Sequence, residues 1–220
     1  MLFRSDFLGM PGQVVAADEL NLDKELPFHL ASDIDAMVDG LLADGAQDVS
    51  AVAPKLWEGG FRFLVTRDLA AAKTYLRDRY AENCAARYGV VASSKDKILP
   101  RYGVDNEWRA QQQMKVGRWY NADRDDTHSC CQLNQVATEF SSQGLELDAA
   151  LLAWGSDYMR EGGQWSVRMS GGYKGVVRDR KALRRNVYRV LLTRGRDGTV
   201  VYVPQDRMLD ETYEWLLTCG

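Results

Sequence analysis

The feature that most constrains the fold is a strand-like run that passes straight into a helix-like one. Phe61-Arg62-Phe63-Leu64-Val65-Thr66 is short and rich in β-favouring residues. Asp68–Tyr80 follows at once, with Leu69, Ala72, Leu76 and Tyr80 spaced for one helical face. Arg87–Ala92 (RYGVVA) then reads as a second strand. Strand, helix and strand within about 30 residues make a βαβ unit, and that implies a parallel pair.

The rest of the chain extends this pattern. Ser32 reads as an N-cap, with Ile34, Met37, Val38, Leu41 and Leu42 at helical spacing and Gly45 as the stop. Val49–Trp57 is a second helical stretch carrying Pro54. Leu133–Phe140 and Leu147–Trp154 read as strands, the second being an apolar run of the buried kind. Arg178–Thr193 reads as a helix with Leu183, Val187, Val190 and Leu191 on one face. Gly195 and Gly198 bracket a turn, Thr199–Val203 is a strand ended by Pro204, and Leu209–Leu217 is a closing helix. The implied fold class is α/β with a mainly parallel sheet. Residues 1–58 form a helical or extended segment packing on the core. Residues 59–220 form the α/β body, with a polar excursion at 93–130 and a Gly-rich insertion at 155–175.

Composition removes other classes. With 45% hydrophobic and 27% charged residues the chain is of the globular type. No apolar run is long enough to span a bilayer, and the N-terminal stretch lacks a signal-peptide core, so no membrane partner is expected. The four cysteines make no CxxC pair, so neither a metal site nor a disulfide framework is expected. A reduced, cytoplasmic setting fits. The net charge of −3 leaves nucleic-acid binding to a local patch.

Chemistry-bearing motifs are few. No segment has the GxxxxGK[ST] pattern by which a Walker A loop cradles phosphates. The Gly-rich SGGYKGVV lacks the Lys-Ser/Thr ending. Val14-Val15-Ala16-Ala17-Asp18-Glu19 imitates a Walker B strand, but it has no Walker A neighbour to share Mg²⁺ and reads as a decoy. His128 beside Cys130-Cys131 suggests a soft metal, yet vicinal cysteines chelate one ion poorly, and a core-facing pair is the simpler reading. His29 reads as a packed or surface residue, and Ser93–Lys97 as a solvated loop or a weak phosphate contact. No nucleophile is marked, so an ATP-independent hydrolase has no support.

Two segments stand out. Thr138-Glu139-Phe140-Ser141-Ser142-Gln143-Gly144-Leu145-Glu146-Leu147-Asp148 places a polar Gly turn and two carboxylates just before a buried strand. Such a loop is expected at the carboxyl ends of the strands, where open α/β sheets bind ligands; a plain turn is the alternative. Tyr188–Gly198 closes a helix with Arg189, Arg194 and Arg196. Arginine there complements the helix dipole, or alternatively serves as a finger on a transferring phosphoryl group.

Together these segments carry a resemblance. TEFSSQGLELD resembles motif V of superfamily-1 helicases, and YRVLLTRGRDG resembles motif VI. FLVTRDLAAAKTYLRDRY, RYGVVASSKDK, SCCQLNQVATEFSSQGLELD and RNVYRVLLTRGRDGTVVYVP are closer still to the Schlafen group-3-like DNA/RNA helicase domain. LPFHLASDIDAMVDGLLADG resembles the segment after motif III there. The resemblance implies a RecA-like three-layer sandwich, the second RecA-like domain of such a helicase. It implies a missing N-terminal RecA-like partner domain carrying Walker A and B, with ATP and Mg²⁺ bound in the complete protein and not by this chain alone. It makes Arg194 the finger and Arg67 a second, motif IV cation. It places Gln143, Gly144 and Glu146 at the nucleotide, and Thr138 and Ser141 along single-stranded DNA or RNA. The competing reading is a non-catalytic interaction module. In it, Trp108, Trp119, Tyr120, Trp165 and Tyr173 would stack on unpaired bases.

Overall fold

The computed structural model describes residues 28–43, 52–168 and 179–218. Five strands form one sheet in the order β1-β7-β4-β2-β3: β1 Arg62–Thr66, β2 Tyr88–Ala92, β3 Val136–Thr138, β4 Leu147–Ala153 and β7 Gly195–Tyr202. Every pairing in it is parallel. Parallel strands must be joined by crossovers, and helices α1 Phe28–Leu41, α3 Leu69–Arg79, α6 Arg180–Leu192 and α7 Asp210–Leu217 flank the sheet. The architecture is the RecA-like three-layer sandwich. The sheet interior explains the near-continuous apolar runs: all of β2 is buried, and β4 is buried except at Asp148.

Local chemistry sets several boundaries. Asp68 caps α3 by accepting from the Ala71 amide at 2.9 Å, and Asp179 caps α6 by accepting from Ala182 at 2.9 Å. α2, Ala53–Glu58, starts with Pro54 in its first turn, where a missing N–H costs nothing. α1 begins before Ser32, so that serine lies inside the helix instead of capping it. The excursion at 93–130 contains two short helices, α4 Trp108–Gln113 and α5 Val116–Asn121. Trp119, fully buried, pins it to β2 so closely that a Cβ on Gly89 would lie 2.6 Å from the indole. Trp108 does not pin it, being 73% exposed.

The expected turn at Gly195–Gly198 is instead the first half of β7. A shift of register opposite Leu147–Ala149 makes this GRDG stretch a bulge. A Cβ on Gly195 would sit 2.0 Å from the Gly198 carbonyl oxygen, so glycine is there for close backbone approach. Leu133 is also outside its expected strand, turning the chain at φ 57°.

The Gly-rich insertion begins as an antiparallel hairpin, β5 Met159–Glu161 and β6 Gln164–Ser166, embedded in the protein. Trp154, Tyr158, Trp165 and Tyr188 stack together with centroid separations of 4.3 to 5.5 Å. The indole N–H groups of Trp165 and Trp215 both donate to the Leu41 carbonyl, at 3.2 and 2.8 Å, and so cap the end of α1. The buried face of α6 is Arg184, Tyr188, Leu191 and Leu192, not the face of Leu183, which is exposed. A buried carboxylate, described below, recruits Arg184 inward and rotates the helix away from the apolar expectation.

Candidate functional site

All strands run the same way, so the sheet has an amino-end edge and a carboxyl-end edge, and the two segments singled out in the sequence meet at the first. Arg194 follows α6 and immediately precedes β7; Glu146 immediately precedes β4. β4 and β7 are neighbours, and the Leu147 amide donates to the Arg194 carbonyl at 2.9 Å. The expectation of a carboxyl-end location for this loop is therefore corrected. β3 is short, and the chain after it returns along the sheet before β4 begins.

The turn between Thr138 and Glu146 is built locally. The Ser142 amide donates to the Thr138 carbonyl at 2.8 Å and the Leu145 amide to the Ser142 carbonyl at 3.1 Å. Gly144 occupies the left-handed region at φ +77°, which a side chain would strain. Gln143 and Gly144 form an exposed tip. The guanidinium of Arg194 fixes this turn from below. Its Nη1 donates to the Ser142 and Leu145 carbonyls at 3.2 and 3.1 Å, and its Nε to Val190 at 3.0 Å. One side chain thus joins the end of α6 to both ends of the turn.

A cleft of about 150 Å³ opens beside this joint, lined by Ala31, Ile34 and Asp35 of α1 together with Glu146, Thr193, Arg194, Gly195 and Arg196. Its two arginines differ. Arg196 is ion-paired to Asp148 and Asp197. Arg194 bonds only carbonyls; among the described residues it has no carboxylate partner, and its Nη2 has no hydrogen-bond partner. A guanidinium held rigidly by neutral groups, with one edge unspent, is suited to a phosphate oxygen arriving from outside. α1 is held over the cleft by Arg189, whose Nη1 lies 2.7 Å from Asp39.

The other sequence candidates fall elsewhere. Arg67 follows β1 at the opposite, carboxyl-end edge, so the structure does not bring it to Arg194. It pairs with Asp210 at 2.6 Å and lies over the Tyr213 ring. Thr138 is buried, and its hydroxyl lies 3.3 Å from that of Ser141, which donates to Gln111 Oε1 at 3.2 Å. These hydroxyls hold the turn. Cys130 and Cys131 are buried with sulfurs 3.9 Å apart. Trp119 and Trp165 are buried, which removes them as stacking surfaces; Tyr120 spends its hydroxyl on the Glu146 carbonyl at 2.7 Å. The Walker B-like stretch, Tyr173, SGGYKGVV and the side chain of His29 lie outside the described residues.

Sequence reading missed a buried polar network at the carboxyl-end edge. Asp157 accepts from Ser93 Oγ at 2.6 Å and Tyr188 OH at 2.7 Å, and pairs with Arg184 at 3.3 Å. Asp96 accepts from Ser156 Oγ at 2.9 Å and from the Ile98 and Leu99 amides. Burial pushes the Asp157 carboxyl above the usual carboxylate range, against the hydrogen bonds from Ser93 and Tyr188. Burial, then the Asp157 charge, pushes the Tyr188 phenol well above its ordinary value. The one available signal was an arginine at position 184 in register with Tyr188 and Leu191.

With this geometry in place, comparison with known families is decisive. The family described as Schlafen group 3, DNA/RNA helicase domain, matches residues 10–205. The chain belongs to this family. It is thus a helicase-like, nucleic-acid-related module. Comparison with curated proteins gives no match. Among the described residues no helix is long and apolar enough to cross a membrane.

Proposed function

We propose that this Schlafen group 3 helicase domain works as the second RecA-like half of an ATP-dependent DNA or RNA motor. It presents Arg194 to a nucleotide gripped by a Walker A and B domain supplied from outside these 220 residues. The observation that carries the reading is the state of Arg194. It is clamped by three carbonyls at the mouth of a cleft, unpaired with any described carboxylate, beside a second arginine that is ion-paired to two carboxylates.

The residues present fit a triphosphate from one side only. Arg194 offers a planar cation, while the sequence offers no Lys-Ser/Thr loop to hold the phosphates or Mg²⁺. ATP bound in the assembled site would supply the phosphoryl group to be transferred. The chain's own part is electrostatic: a pre-positioned guanidinium needs no reorganisation as charge develops. In this reading Glu146, at the cleft wall, and the exposed Gln143–Gly144 tip meet the rest of the nucleotide. Thr138, Ser141 and Gln111 keep the turn in shape where the nucleic-acid strand would pass. Arg67, already paired, is assigned the lesser role of securing α7 to the end of β1.

The test adds a Walker-bearing RecA-like domain of the same family, in cis or in trans, and measures strand-stimulated ATP turnover. Turnover by the pair and none by this chain alone is the expected result. Equal turnover with Arg194→Ala would sink the assignment.

A further inference from the structure

Five large apolar side chains are exposed among the described residues: Trp57, Trp108, Phe140, Leu183 and Leu217. The two most exposed, Trp108 at 73% and Phe140 at 70%, converge on one feature, the turn that follows β2. Asn106, two residues before Trp108, donates to the Ser93 and Asp96 carbonyls at 2.7 and 3.0 Å. Glu139, next to Phe140, accepts from the Ser94 amide and hydroxyl at 2.8 and 2.7 Å. A third link joins the two segments that carry the aromatics. Gln111, one helical turn after Trp108 and so on its side of α4, bonds the Val136 carbonyl at 2.7 Å and the Ser141 hydroxyl at 3.2 Å. Trp108 and Phe140 therefore flank one turn at the carboxyl ends of β2 and β3, which carries exposed Lys95 and Lys97; Arg109 is exposed next to Trp108, as are Asp105 and Glu107 on the same segment.

Among the described residues neither ring stacks on another ring or lies under a cation. Trp57, by contrast, is covered by the Arg62 guanidinium at 4.0 Å. Large rings held out in water on a hydrogen-bonded frame, with cations beside them, match the faces and phosphates of unpaired nucleotides. We propose that Trp108 and Phe140 form a platform on which bases of a single nucleic-acid strand stack. This rests on the reading of the chain as a nucleic-acid-related module, and adds the surface, the pairing of Trp108 with Phe140.

The experiment titrates the full chain against dye-labelled oligothymidine and oligouridine, with a blunt duplex alongside, at low and at raised salt. Trp108→Ala combined with Phe140→Ala should weaken single-strand binding about tenfold or more, the loss expected for one stacked base. The slope of affinity against salt should stay the same, because no charge is removed. Trp108→Phe with Phe140→Tyr keeps both rings and should restore most of the affinity. Because both side chains are exposed, unchanged thermal unfolding of the alanine pair is the folding control. Unchanged affinity in that pair overturns the platform and leaves the nucleic-acid reading standing. An equal loss on duplex overturns stacking. Failure of the native chain to bind any strand overturns the platform and the nucleic-acid reading together. The Arg194 turnover assay stays independent of all three.

Discussion

Arg184 and Arg194 belong to one helical segment and live in opposite surroundings. Arg184, in the first turns of α6, is buried against Asp157, with both side chains at most 5% exposed. Arg194, just past the end of the same helix, meets only carbonyl oxygens and keeps one edge for something else. The first arrangement is complete within the chain and contributes to holding the fold. The second leaves one edge of the guanidinium without a partner among the described residues, which fits the shared site proposed above. α6 therefore ties a finished network at the carboxyl-end edge to an unfinished one at the amino-end edge.

Exchanging the roles experimentally gives the sharpest contrast. In the reconstituted motor, Arg194→Ala should lower ATP turnover by about 10³-fold or more, the range for loss of an arginine finger. Lysine at that position should not rescue it, lacking the planar fork. The same substitution should cost only about 1–2 kcal/mol in urea unfolding, because the lost bonds are partly exposed. Arg184→Ala should show the reverse profile. It leaves Asp157 buried without its cation, and a loss of about 3–5 kcal/mol of stability is expected. If Arg184→Ala proved harmless to folding, the distinction between the two ends would be lost.

Gly144→Ala examines the turn that Arg194 clamps. A Cβ there meets open space but a left-handed backbone, so about 1 kcal/mol of destabilisation should appear, with turnover falling too as the turn shifts. Full turnover would show that the turn's shape is immaterial to the cleft. The smallest effect is one of pH. The folded pKa of Asp157 is raised above its unfolded value, chiefly by burial. Its contribution is present below the ordinary value of 3.8 and fades as pH rises through the folded value. The stability gap between the native chain and Asp157→Asn should therefore be widest in acid and narrow on the way to neutrality. An Arg194→Ala background should leave that slope unchanged.

What the sequence made legible follows period. The strand–helix–strand succession of β1, α3 and β2 and the apolar run of β4 are read from local chemistry that the tertiary structure keeps, but the expected parallel pair is not formed: β7 and β4 lie between β1 and β2. The errors arose where distant residues decide the outcome. Gly195 and Gly198 looked like turn residues because close approach of neighbouring strands, not chain reversal, requires them. The buried face of α6 was displaced because Asp157 draws Arg184 inward, a pairing invisible to hydrophobic periodicity. Of the candidate site, what the structure shows is proximity: Arg194 and the turn that carries Gln143, Gly144 and Glu146 meet at one edge. The edge itself was misjudged, since nothing local shows that eight residues after Thr138 carry the chain back along the sheet.

The paired indoles at Leu41 have a consequence for dissection of the protein. They bolt the far end of α1 to the hairpin and to α7, while its nearer turns furnish Ala31, Ile34 and Asp35 to the wall facing Arg194. A boundary drawn at residue 58 would cut through a load path and not between modules. Shortened versions beginning there would forfeit one wall of the cleft beside Arg194, so a piece that keeps this cleft must reach back through α1.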